Sequence, residues 1–144
     1  MMKMFELASG QSCWKGINYH HENRIISWAP LEKNCYQGQV KGSNEAVYHV
    51  MIDPAHPRRS TCDCPFADGR RVICKHMIAL YLEIFPEKEQ EFIDHVEHQN
   101  ELYEQEFNQR QIEKENEIRR YVNTLSKAEL KERLIQYMLS ERWY

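Results

Sequence analysis

Three of the five cysteines, Cys62, Cys64 and Cys74, fall within thirteen residues and are followed by His76, which gives Cys-x-Cys-x9-Cys-x-His. Thiolate and imidazole are the donors that zinc gathers into a tetrahedron, so four of them in one short span point to a single structural zinc ion. Disulfide bonding is the competing use of clustered cysteine. It persists in oxidising compartments, and the polar start through Glu6, Ser9 and Gln11 lacks the apolar core of a secretory signal. The expected location is therefore cytoplasmic, with the thiols reduced. Cys13 and Cys35 stand apart with no motif around them. Together with Cys13, His20 and His21 could form a second metal site, although that spacing fits no common template.

The zinc chemistry constrains the backbone. Two thiolates on one zinc lie about 3.8 Å apart, from Zn–S bonds near 2.3 Å at tetrahedral angles. Residues two apart in an extended chain are separated by about 7 Å with side chains on one side, so Cys62 and Cys64 converge if the chain bends, and Pro65 suits such a bend. Inside an α-helix Cys74 and His76 would diverge by about 200°, so they must straddle a helix start. Met77, Ile78, Leu80, Tyr81, Ile84 and Phe85 follow at helical spacing, which predicts a helix over about 75–85 whose apolar face covers the strands. Four protein ligands leave zinc no open position for water or substrate, and thiols bound to zinc are not free nucleophiles. The site is expected to fold the chain, with no catalytic residue and no enzymatic activity. The loop at 65–73 has little to hold it, so the metal is expected to supply much of its order.

The positioning elements come in two kinds. All five glycines lie at or before Gly69 and all five prolines at or before Pro86. Runs at 17–21, 24–29, 34–41 and 46–52 are rich in β-branched and aromatic residues and are separated by turn formers, which predicts four antiparallel strands. In the last run Tyr48, Val50 and Ile52 alternate with Val47, His49 and Met51, as in a half-buried strand. Beyond Pro86 the pattern turns helical, with Phe92, Val96, Tyr103 and Phe107 forming a narrow apolar stripe interrupted at Gln99 and Asn100. Ser126 and Glu129 form a capping box, flanked by Leu125 and Leu130 as a hydrophobic staple, and Leu130, Leu134, Tyr137 and Met138 share one face suited to packing. The expected architecture is an α+β fold: a β-rich region at 1–86 with a small antiparallel sheet and a zinc-stapled ββα unit, and an acidic helical region at 87–144, with 87–91 as the linker. At 144 residues there is room for about one domain, and the longest apolar run, 77–82, falls far short of the roughly 20 residues that span a bilayer.

The ligand pattern, with Gly42-Ser43 and the alternating Tyr48, Val50 and Ile52 before it and Lys75-His76 and Ala79 at its helix entry, resembles the SWIM zinc-finger family. The resemblance covers residues 37–85, and Lys15-Gly16 with Tyr19 is similar to the opening of bacterial members. It implies a ββα module with one zinc on Cys62, Cys64, Cys74 and His76, and a role in binding DNA or protein without catalysis. The ATPase and transposase domains of larger members have no room in this chain.

Charge separates the candidate partners. The chain carries −3 overall; residues 1–60 stand at +2, 61–85 at 0 and 86–144 at −5. Non-specific phosphate binders are usually basic throughout, so any nucleic-acid contact must be local. Around the zinc motif Arg58, Arg59, Arg70, Arg71 and Lys75 oppose Asp63 and Asp68, a local excess suited to DNA or RNA phosphates, or to balancing the anionic zinc-thiolate group. Trp14, Tyr19, Trp28 and Tyr36 interleave with Lys15, Arg24 and Lys33; such residues make a stacking surface for single strands or, as expected in a small domain, fill its core. The alternative partner is a protein held by the acidic helical region. Neither a membrane nor a small-molecule substrate is expected.

Overall fold

The computed structural model describes residues 3–141, which divide into two compact units between Val96 and Glu97. The first unit contains helices α1 (Lys3–Leu7) and α2 (Gly10–His21), strands β1 (Ile25–Pro30), β2 (Tyr36–Lys41), β3 (Val47–Ile52) and β4 (Thr61–Cys62), and helix α3 (Lys75–Ile84). The strands form one antiparallel sheet in the order β1-β2-β3-β4. The α+β class, the small antiparallel sheet and the ββα unit, here β3, β4 and α3, are as the sequence leads one to expect.

Residues 17–21 are a correction: they form the end of α2, not a strand. Ile17, Tyr19 and His21 alternate, which imitates a strand within a five-residue window. The longer pattern is helical, since Cys13, Gly16 and Ile17 are buried at spacings of three and one, and the Ser9 hydroxyl accepts the Ser12 N–H at 3.1 Å as an N-cap. The fourth strand is instead β4, which brings Cys62 opposite Val50 and Thr61 opposite Met51.

Helix α3 is the centre of the unit. Every residue from His76 to Leu82 is buried, because different faces meet different neighbours. Ile78 packs on Gly16 of α2, where an added Cβ would overlap its Cβ and Cγ2 atoms. Leu80 faces Gly38 of β2, where a Cβ would come within 2.8 Å of its Cδ1. Val40, Val50 and Ile52 complete the sheet side of the core.

Helix α4 (Glu87–Asn123) begins in the first unit, so residues 87–91, expected as a linker, are its first turn and more. Acidic Glu87 and Glu89 suit the positive end of a helix, and Lys88 pairs with Glu91 at 2.9 Å. Phe92 is buried, stacked on Phe5 at 4.6 Å and edge-on to Trp14 at 5.2 Å. In the second unit α4 runs on to Asn123 and is followed by α5 (Lys127–Ser140), whose Ser126 hydroxyl accepts the Glu129 N–H at 3.2 Å. The stripe residues Tyr103 and Phe107 are exposed there, as are Leu130, Leu134, Tyr137 and Met138, which were expected to pack. No helix among the described residues is long and apolar enough to cross a membrane.

Candidate metal centre

The four candidate ligands come from three local structures. Cys62 ends β4, Cys64 opens the turn after it, Cys74 is the N-cap of α3 and His76 lies in the first turn of that helix. The expected straddling of a helix start is thus realised, since Cys74 keeps an extended backbone. The Cys62–Cys64 segment is tied to β3 by Asp63, whose carboxylate accepts the His49 N–H at 2.8 Å. The Cys64 carbonyl accepts the N–H groups of Ala67 and Asp68 at 3.1 and 2.9 Å. With Ala67 and Ile73 also buried, the loop has more anchorage of its own than its polar sequence suggested.

His76 Nδ1 lies 3.8 Å from the sulfurs of both Cys62 and Cys74, and the donor atoms of all four residues fall within 4.8 Å of one another. Tetrahedral zinc with these bond lengths places its ligands roughly 3.6–3.8 Å apart. Three thiols and one imidazole, all buried, therefore fit one zinc ion in geometry and in donor chemistry. Left to themselves the thiols cannot all ionise. The hydrogen bond from Cys62, with smaller help from His76 and the Met77 N–H at the helix start, holds Cys74 down at about 4. Cys62 is driven up by that same hydrogen bond and by burial, and Cys64 by burial and the neighbouring Cys74 charge. A dication takes all three as thiolates, so binding releases protons.

The His76 ring is held by packing. It sits 4.7 Å from the Tyr48 ring and 5.5 Å from that of Tyr19, and its Nε2 is buried with no hydrogen-bond partner among the described residues. Zinc-bound imidazoles commonly donate that second nitrogen to an acceptor; here two aromatic neighbours set the orientation instead.

The basic residues divide. Arg58 and Arg59 lie on a short turn built by buried Asp53, whose carboxylate accepts the His56 N–H at 3.0 Å and whose own N–H donates to Ser60 Oγ at 3.0 Å. Arg70 and Arg71 come from the loop between the ligand pairs. All four line one open cleft of about 1120 Å³, together with Lys3 and His56. Asp63 and Asp68 also border it. Lys75 lies elsewhere, with its ammonium 4.7 Å from the Tyr19 ring, which Arg24 also contacts at 4.3 Å. Lys3 and His56 were not legible as members of this surface, because only the folded chain brings them to it.

The aromatic set is mixed as well. Tyr19 is buried and Tyr36 half-buried, in line with a core role, whereas Trp14 and Trp28 are 44% and 43% exposed. Cys13 is buried with its thiol directed at the Phe5 carbonyl at 3.6 Å, and it is not among the groups that meet His20 and His21.

No curated protein and no solved structure matches the chain. Residues 48–85, which run from β3 through the ligands to the end of α3, match the family model described as SWIM zinc finger. A buried Cys3His set that fits one zinc therefore coincides with that match, and the chain carries a SWIM zinc finger.

Proposed function

We propose that the zinc finger is a non-catalytic nucleic-acid-binding module, with DNA phosphates as the ligand of the cleft lined by Arg58, Arg59, Arg70 and Arg71. The observation that carries this reading is the convergence of two arginine pairs, from separate loops on either side of Cys62 and Cys64, on one open surface. Planar guanidinium groups suit phosphate oxygens through paired hydrogen bonds. Zinc would act by fixing the loop that bears Arg70 and Arg71, and four protein ligands leave it no place for substrate. Lys75 contributes to the local field from outside the cleft. This activity fits a cytoplasmic protein.

Fluorescence anisotropy with single- and double-stranded DNA at 50 and 200 mM salt tests the proposal. Each phosphate contact to duplex contributes about −0.9 to the slope of log K against log salt. Arg70→Ala with Arg71→Ala should lower the slope by roughly 2 if each arginine holds one phosphate, with zinc content unchanged. Salt-dependent binding that is the same in wild type and in this double variant would remove the pair from the interface, and absence of binding at low salt would remove the function.

A second reading, a protein adaptor working through the helical region, is supported by the exposure of Tyr103, Phe107, Tyr137 and Leu139 in the second unit. A zinc-loaded protein that ignores DNA but loses a defined protein partner on deletion of residues 97–144 would favour it.

A further inference from the structure

A second group of metal-capable side chains, separate from the four zinc ligands, lies in the first unit: His20 and His21 at the end of α2, and Glu89 at the start of α4. His20 Nε2 is 3.1 Å from Glu83 Oε2, a contact that holds one side of the ring against a carboxylate and leaves Nδ1 on the other side. That Nδ1 is buried, has no hydrogen-bond partner among the described residues and lies 4.0 Å from Glu89 Oε2. The other oxygen of Glu89 is 2.6 Å from His21 Nε2. An imidazole oriented by one carboxylate, with its free nitrogen turned towards a second carboxylate and a second imidazole, is the arrangement that outer carboxylates impose on metal-bound histidine.

From these observations we infer that His20 Nδ1, His21 Nε2 and the Glu89 carboxylate hold a second divalent transition-metal ion, with Glu83 as the residue that positions His20. Metal–ligand bonds of about 2.1 Å at angles between tetrahedral and octahedral place donor atoms roughly 3.0–3.4 Å apart, midway between the two separations seen here. Small side-chain rotations thus suffice. Two imidazoles and one carboxylate suit zinc, cobalt or nickel, and three protein ligands leave positions for water, in contrast to the closed Cys3His site. A further feature favours a cation: two carboxylates, Glu83 and Glu89, converge on the two rings at the end of α2. The ion would join the end of α2 to the first turn of α4 within the first unit.

The test is a titration of untagged, zinc-loaded protein with Zn²⁺ against a chromophoric chelator, and in parallel with Co²⁺ read by visible absorption. Wild type should take a second, weaker equivalent, and Co²⁺ in it should show the weak bands of nitrogen and oxygen ligation without thiolate charge transfer. His20→Ala with Glu89→Gln should take one equivalent only, while Glu83→Gln should retain the site with affinity reduced about 10- to 100-fold. His21→Ala, which alters an exposed ring, should also lose the second equivalent and guards against a double variant that fails to fold. A wild-type stoichiometry of one, or a second equivalent that survives in His21→Ala, overturns the inference.

Discussion

The two units use the same helical secondary structure and hold it by different means. In the first, α3 buries seven successive residues between α2 and the sheet and carries two zinc ligands at its start. In the second, α4 beyond Val96 and α5 contain no buried residue among those described, and Leu125 alone is half-buried. Their local support is of the kind that isolated helices use: Arg119 to Glu115 at 2.8 Å, Gln109 to Glu113 at 3.0 Å and the Ser126 cap. Helical sequence alone therefore does not fix how strongly a helix depends on its surroundings. One unit should respond sharply to changes in packing and metal, and the other only weakly.

The two units should differ most at the zinc. Cys64→Ala should lose the ion and unfold the first unit, because structural zinc contributes folding free energy of about 10 kcal/mol or more in small fingers. Much of the circular dichroism of residues 97–144 should remain. A variant that keeps one equivalent of zinc and the wild-type melting temperature would refute the ligand assignment.

Next in size is Gly16→Ala. The new methyl would collide with Ile78 and approach the Lys75 carbonyl at 3.0 Å, and such overpacking costs about 1–3 kcal/mol. Chemical denaturation followed by aromatic fluorescence measures it, and a change below about 0.5 kcal/mol would mean that α2 and α3 do not cross as closely as described.

Alkaline pH sharpens the same contrast. Burial raises the Cys13 thiol from its ordinary 9.0 to about 11. A group with a raised folded-state pKa contributes stability that is full below the unfolded value and is lost as pH climbs through the folded one. The first unit should therefore lose up to about 2 kcal/mol from this thiol between pH 9 and 11. Comparing melting curves of wild type and Cys13→Ala isolates the effect: the gap between them should shift in favour of the variant as pH rises, and a constant gap would exclude it.

The smallest expected change belongs to the second unit. Ser126→Ala removes the cap of α5 and should cost about 1 kcal/mol of local helix stability, seen as a modest fall in helical dichroism. Zinc content and the melting of the first unit should stay as they are.

What was legible in the sequence follows from how local each determinant is. The Cys3His set could be read because zinc demands particular donors, and their spacing alone forced a bend and a helix start. The cap at Ser126 was legible for the same reason, since it involves residues three apart. Residues 17–21 misled because the evidence for helix lay outside their window, in Ser9 and in the distant Ile78 that meets Gly16. Strand β4 is only two residues long and owes its form to pairing with β3. The acidic run at 87–91 read as linker because its fixed points, Phe5 and Trp14 against Phe92, lie far back in the chain. Likewise the five basic residues were visible as a set, but only folding could sort Lys75 from the four arginines.

One consequence of the α3 arrangement concerns time. Cys74 and His76 belong to the same helix whose next six residues form the middle of the core, and the four ligands are only 1–4% exposed. A pocket of about 210 Å³ borders Cys64, Cys74 and His76, but displacing all four ligands from the ion requires the start of this helix to move. Extraction of the metal should then level off at a rate independent of chelator concentration, set by how often the first unit opens as a whole, and the zinc becomes an internal clock for that opening.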